Sequence, residues 1–461
     1  MRLEGKRIAL VGLGVSNLAL ARYLHAKGLS FEVRDKKRAE QLEDKLSQLP
    51  PSVSRLILGD GYLDGLEQLD LVFLTPGMRK DFPEIRHAVG CGTVFSSEMA
   101  LFVDQCRAPI CGITGSAGKT TTTSLIGEML RRGISKRVYV GGNIGNPLIE
   151  LVDSIEPEAV VVLELSSFQL QMMTKSPHVA VLLNISPNHL DVHASMEEYV
   201  EAKSNIFKHH TSCDHLVVNA DEPGAQSAIR GYPYDCLQFS RLHAVERGAF
   251  LDDGLILLTD GNHSTTVLPA SQVRIPGLHN LENVLAACCA SSLFGCSVEA
   301  MAQVASTFPG VEHRLEFVRE IDGVTYINDS IATTPERTMA AIATVTGPVV
   351  LIAGGYDKHL PFDHLAEKIL QANIPVVLTL GVTAPKIEEA ISRAAYARPS
   401  TSQRRVPAVI RCEDLKEAVY KAREYATPGY TVLLSPACAS YDMFRNFEER
   451  GRLFKKLVYE L

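Results

Sequence analysis

The chain has 461 residues, too many for one hydrophobic core and enough for about three domains. Apolar residues make up 46% and charged residues 21%, the balance of an ordinary soluble enzyme. A net charge of −7 with no basic stripe argues against nucleic acid, and no apolar run reaches the roughly 18 residues of a membrane span.

Met1-Arg-Leu-Glu4 runs straight towards a strand, without the apolar stretch of a signal peptide. Arg7 to Gly12 reads as that strand, and Gly12-Leu-Gly14-Val15-Ser16-Asn17 opens a helix reaching about Lys27. Phe31 to Arg34 is the next strand and ends at Asp35. This is a βαβ unit with an acidic residue about 20 positions past the glycines, as in dinucleotide folds. Asn17 stands where the third glycine of that fingerprint belongs, so NAD is one option and another nucleotide a second. Leu71 to Leu74 is a later strand, and its turn Thr75-Pro76-Gly77 is suited to phosphate or base contacts.

The second segment begins with Ala108 to Thr114, a buried strand, followed by Gly115-Ser116-Ala117-Gly118-Lys119-Thr120-Thr121. The predicted helix, Ser124 to Arg131, places Leu125, Ile126, Met129 and Leu130 on one stripe. Strand, glycine loop and helix together predict a phosphate cradle, with Lys119 on the β/γ-phosphates and the Thr120 hydroxyl on Mg²⁺. Ile113 occupies the position of the first glycine of the generic pattern, and a plain glycine turn is the alternative. Ala159 to Leu165 reads as a parallel strand that carries Glu164 into a buried place, where a carboxylate needs an ion partner or a metal. Val179 to Ile185 precedes His189, just beyond a strand end, and Leu216 to Asn219 is a third strand. The helix from Met196 to about His210 starts with a capping box at Ser195 and Glu198. Lys203 falls on its apolar stripe with Tyr199 and Val200, and either snorkels to water or has an inward task. Asn280 and Asn283 share a face of the following helix, placed for contacts to a base edge.

After Phe308-Pro-Gly310 a second Rossmann-like pattern begins. Its strands are Thr325 to Asn328, Val349 to Ala353, Pro375 to Leu380 and Thr431 to Leu434. Polar residues follow their ends, among them Asp357-Lys358 and Ser440-Tyr441-Asp442. Cys438 reads as a small packed thiol. The ten cysteines, without any Cys-x-x-Cys pair, read as free thiols of a reducing cytosol.

These residues resemble the Mur ligase family over essentially the whole chain. The motifs are Gly115-x-x-Gly118-Lys119-Thr120-Thr121, Gly142-Asn143-Ile-Gly145, Glu164-x-x-x-x-Gln169 and Asn184-x-x-Pro-x-His189-Leu-Asp191. Tyr199-x-x-Ala-Lys203, His279-Asn280-x-x-Asn283, His313-Arg314 and Asn328-Asp329-Ser330 continue the pattern. The run Leu433 to Ser440 with Asn446-Phe447 looks like the D-glutamate-adding member. The resemblance implies three α/β domains: a Rossmann-like one at 1–98 for a UDP substrate, a P-loop one with a parallel sheet at 99–310 for ATP and Mg²⁺, and a Rossmann-like one at 311–461 for the amino acid.

By the same resemblance Lys119, Glu164, His189 and Lys203 would be catalytic. Thr120, Glu164, His189 and a Lys203 carbamylated by CO₂ would hold two Mg²⁺ ions. Gly115, Ser116, Gly118, Thr120, Thr121, Asn280, Asn283, Arg314 and Asp329 would surround ATP. Gly14, Val15, Ser16, Asp35, Thr75, Pro76, Gly77, Asn143 and Gln169 would take UDP-N-acetylmuramoyl-L-alanine. Thr333, Lys358, Ser440 and Phe447 would receive D-glutamate, in a cytoplasmic monomer. Ala117 replaces the usual Asn, Ile331 a frequent Lys, and Lys36-Lys37 the usual Thr-Arg. A tripeptide-forming or folylpolyglutamate-type ligase of the same fold is the nearer rival, and a nicotinamide dehydrogenase the farther one.

Overall fold

The computed structural model describes residues 1–186, 195–358, 360–397 and 406–461. Three sheets fall in two compact units, Met1–Phe308 and Pro309–Leu461.

The first sheet is parallel and five-stranded. Its spatial order is Val53–Leu58, Phe31–Asp35, Ile8–Val11, Leu71–Leu74 and Val94–Ser96. The chain order reverses at Ile8–Val11, which puts a crevice above that strand and Leu71–Leu74. Asn17 needs no glycine at its position, because its amide donates to the carbonyls of Val11 and Gly12 and closes the turn itself.

The second sheet has nine strands. Its parallel part runs Gly248–Asp252, Cys236–Ser240, His215–Asn219, Val179–Leu182, Ile110–Thr114, Val160–Glu164 and Val138–Gly142. Leu255–Thr259 and Ser264–Pro269 extend it as antiparallel edge strands. Val160–Glu164 and Val179–Leu182 are buried along their full length, as parallel strands covered on both faces must be. The phosphate-loop helix Lys119–Gly133 packs on Leu278–Ser292 and Val298–Thr307. The helices Val15–Ala26 and Glu98–Gln105 pack on the turn Ile149–Ser154, so the cores of the two sheets merge. Arg22 with Glu150 and Lys27 with Asp153 pair at 2.8 Å along the same seam.

The second unit holds a six-stranded sheet in the order Glu316–Ile321, Val324–Asn328, Thr431–Leu434, Val349–Gly354, Val376–Leu380 and Ala408–Arg411. Only the first pair is antiparallel.

Two boundaries differ from the sequence reading. The phosphate-loop helix starts at Lys119, five residues before Ser124, because Gly118 takes φ +84° and turns the chain into it. The helix of Lys203 ends at Ser204, so Ile206 and Phe207 pack from a turn beyond it. All ten cysteines are free; Cys91 and Cys213 are exposed, Cys236 is half-buried, and the others are buried. No helix among the described residues is long and apolar enough to cross a membrane.

Candidate active site

The phosphate loop is fixed by the strand beside it. Asn184 accepts from the Ala117 amide at 2.8 Å through Oδ1 and donates to the Ala117 carbonyl at 3.2 Å through Nδ2. The Ser116 amide donates to Asn184 O, and its hydroxyl donates to Ser186 O and shares a hydrogen with Tyr199 Oη at 2.9 Å. Ser116, expected at the phosphates, thus has its polar atoms bonded within the protein. The helix begins at Lys119, and the start of a helix directs backbone donors and a partial positive charge outward. A side chain at Gly118 would collide with Asn283 Oδ1, so the loop and the helix Leu278–Ser292 meet at this glycine.

Asn280 and Asn283 do share a face, but they bond to each other. Asn283 Nδ2 donates to Asn280 Oδ1 at 3.1 Å, Asn283 Oδ1 accepts from Thr122 Oγ1, and Asn280 Nδ2 donates to Pro276 O. Asn283 thereby ties the helix Leu278–Ser292 to the phosphate-loop helix.

Glu164 ends its strand in register with Ile113 and Gly142. Its Oε1 accepts from Asn143 Nδ2 at 2.9 Å, while Oε2 is buried without a hydrogen-bond partner among the described residues. Gly142 has φ +98°, and a Cβ there would strike the Glu164 carbonyl, so the clamp on this carboxylate requires glycine. Asn143, expected at the muramoyl group, orients Glu164. Gln169 is likewise engaged: its Oε1 accepts from the Ser166 amide and hydroxyl, closing a capping box.

Lys203 is 1% exposed. Its Nζ donates to Gly115 O at 2.9 Å and contacts Thr114 Oγ1 at 3.4 Å, while Lys119 Nζ donates to the same Gly115 carbonyl at 2.8 Å. Burial pushes the Lys203 ammonium down to about 6; the Lys119 charge adds to this and Glu164 opposes it. The snorkelling alternative is excluded, since the amine points into the site. His189 lies outside the described residues.

On the first sheet, Asp35 Oδ2 accepts from the Leu13 amide at 2.7 Å and Oδ1 from the Lys37 amide. Its carboxylate shapes the loop that presents Gly14, Val15 and Ser16. Gly14 and Thr75 lie side by side across the crevice, and a Cβ on Gly14 would sit 2.9 Å from Thr75 Oγ1. Pro76 and Gly77 follow on the same rim.

In the second unit Asp329 Oδ2 accepts from Ser435 Oγ and Oδ1 from the Leu315 amide. Burial raises this carboxyl to about 6 against those hydrogen bonds and the Arg314 and Arg337 charges. Arg314 Nε is buried with no hydrogen-bond partner among the described residues. The segments that carry Ser440 and Phe447 are tied together by a residue the sequence reading missed. Arg450 is fully buried; Nε and one Nη donate to Ser330 Oγ and O, and the guanidinium also reaches the carbonyls of Cys438 and Ala439. Ser330 Oγ in turn donates to Phe447 O. Arg450→Leu should lower the denaturant midpoint, at a cost of about 3 kcal/mol or more, because those carbonyls lose a charged donor in a dry place. An unchanged midpoint would show that water replaces the guanidinium.

The segment Gly354 to Lys358 pairs with this one through Tyr356 and Ala439. Lys358 is held below the usual lysine range, first by partial burial and then by the Arg337 charge. Arg337 donates to Ile331 O at 3.1 Å, on the side from which Thr333 follows. Arg337 was also missed. Cys438 is a packed thiol beside Thr383 Oγ1, pushed up to about 11 by burial.

Comparison with known proteins decides the family. The middle domain of Mur ligases matches residues 113–291, the glutamate ligase domain of Mur ligases 313–438, and the MurD-like N-terminal domain of Mur ligases 6–95. The chain belongs to the Mur ligase family. This Mur ligase is 50% identical to the UDP-N-acetylmuramoylalanine–D-glutamate ligase of Symbiobacterium thermophilum, over 99% of its own length and 98% of the relative's. It is 45% identical to the ligase of the same name from Acetivibrio thermocellus, over 99% and 97%. Among solved structures its fold matches MurF of Acinetobacter baumannii at TM-score 0.59 and 16% identity, covering 98% and 93% of the two chains. It also matches the UDP-N-acetylmuramate–alanine ligase of Thermotoga maritima at TM-score 0.56 and 18% identity, covering 99% of each. The N-terminal match also removes the dinucleotide reading of the first sheet.

Proposed function

We propose that this Mur ligase joins D-glutamate to UDP-N-acetylmuramoyl-L-alanine, using ATP, in the synthesis of peptidoglycan precursors. Full-length relatives of that name, at 42–50% identity, support it. The observation that carries the chemistry is the buried Glu164 Oε2, which has no hydrogen-bond partner among the described residues and lies on the same sheet as the phosphate loop. A dry carboxylate oxygen without a donor fits a hard cation. Glu164, Thr120, Lys203 and His189 would hold Mg²⁺, as two ions. When bound, Mg²⁺ would offset charge on the phosphates.

The protein's own groups do the rest. The first-turn amides and Lys119 hold the γ-phosphoryl in line with the acceptor carboxylate, whose oxygen bonds to phosphorus as the bond to the β-phosphate oxygen breaks, giving an acyl phosphate and ADP. The amine of D-glutamate then attacks that carbonyl, a tetrahedral species forms, and phosphate leaves with the C–O bond. No protein nucleophile is needed. Gly115, Gly118, Thr121, Asn280, Asn283, Arg314 and Asp329 are the proposed ATP shell. The Gly14–Ser16 loop, Asp35 and the Thr75–Gly77 turn would take the uridine nucleotide, with Asn143 and Gln169 towards the sugar. A monomer working in the cytosol fits this reading.

Lys203 supports a carbamate. It is buried beside a second lysine with carbonyl and hydroxyl oxygens as neighbours, so the neutral amine is favoured. That amine adds CO₂ and releases a proton, leaving two anionic oxygens for a cation.

For the amino acid, the two cations Arg337 and Lys358 suit a dicarboxylate, with Ser440, Thr333 and the Phe447 backbone around it. Lys358→Ala should raise the KM for D-glutamate about ten- to a hundredfold, the worth of one charge-assisted hydrogen bond. The KM for ATP should hold. An equal rise for both, or faster turnover with L-lysine or diaminopimelate, would overturn the D-glutamate assignment. The function itself is tested by phosphate release from ATP with each acceptor and amino acid in turn.

A further inference from the structure

One polar chain links the substrate side of the first sheet to the helix that carries Lys203. Lys80 lies three residues past Gly77, between the strand Leu71–Leu74 and the helix Pro83–Gly90. Its Nζ donates to Gln171 Oε1 at 2.6 Å. The other end of that amide, Gln171 Nε2, donates to Glu198 Oε1 at 2.6 Å. Glu198 is in the first turn of the helix Met196–Ser204, next to Tyr199 on Ser116 and five residues before Lys203 on Gly115.

An apolar contact runs alongside. Met78 and Phe82, either side of Lys80, pack in one cluster with Met172, the neighbour of Gln171. Lys80 is pushed down to about 8 by burial, with Glu198 opposing the shift. A cation on one side and a carboxylate on the other allow only one orientation of the Gln171 amide. The two hydrogen bonds give a movement of the Thr75–Gly77 rim a direct route to the helix.

We propose that Lys80, Gln171 and Glu198 are positioning residues that couple occupancy of the nucleotide-sugar site on the first sheet to assembly of the ATP site. The proposal rests on the function given above. Linkage makes such coupling reciprocal: each ligand tightens the other by the same factor.

The test is calorimetric titration of the full-length enzyme with a non-hydrolysable ATP analogue and Mg²⁺, with and without UDP-N-acetylmuramoyl-L-alanine. In the parent the acceptor should tighten the analogue about fivefold or more. Gln171→Leu and Lys80→Met should bind the analogue alone within about twofold of the parent and bring the ratio close to one, whereas Lys80→Arg should keep it. A role confined to stability would shift both affinities and spare the ratio. If Gln171→Leu does not fold, Lys80→Met carries the test from a half-exposed loop. An undiminished ratio in either variant, or a ratio of one in the parent, overturns the coupling while amide formation stands. A parent that neither binds the acceptor nor forms the amide overturns the function and the coupling with it.

Discussion

Lys119→Ala should leave the enzyme folded and reduce ligation about a hundred- to a thousandfold or more, the usual loss when a preorganised charge at a reacting centre is removed. The side chain is half-buried at the start of its helix and rests on the carbonyls of Gly115 and Ser116, so its removal exposes no core. Its value lies in the transferring phosphoryl group, where negative charge must be offset while the acceptor oxygen enters. Phosphate release measured with all substrates saturating is the check, with the thermal midpoint as the control for folding. Turnover within tenfold of the parent would remove the phosphate-loop assignment.

Lys203→Ala should be nearly inactive, and short-chain carboxylic acids should partly restore it. The lysine is buried, and its Nζ shares the Gly115 carbonyl with Lys119. A cation there would repel the metal ion proposed for Glu164. A carbamate inverts the sign and supplies oxygen ligands, and formate or acetate in the vacated space offers the same atoms. A bare ammonium at Lys203 in a metal-loaded crystal grown near neutral pH with CO₂ would rule the carbamate out, as would the absence of rescue by any small acid.

Much of this was readable in the sequence because parallel strands buried on both faces are unbroken apolar runs that stop at their functional residue. Val160–Glu164 and Leu71–Leu74 are such runs. The antiparallel strands Leu255–Thr259, Ser264–Pro269 and Glu316–Ile321 were missed, although two of the turns are written plainly. Asp253-Gly254 and Asp322-Gly323 both take positive φ, the signature of a two-residue hairpin. Side-chain partnerships were harder. Asn143 and Ser116 were expected at the substrate and the phosphates, whereas their observed hydrogen bonds go to protein groups that only the sheet register brings near. Arg450 carries no local pattern at all; its partners lie 11, 12 and 120 residues away in the chain.

The distribution of thiols bears on how the enzyme meets oxidants. Oxidation proceeds through the thiolate, and burial keeps Cys289 protonated up to about 12 and Cys296, Cys412 and Cys438 up to about 11. Cys91 and Cys213 are the exposed thiols, and both lie in the first unit. Peroxide thus reaches these surface sulfurs more readily than the packed thiol of Cys438.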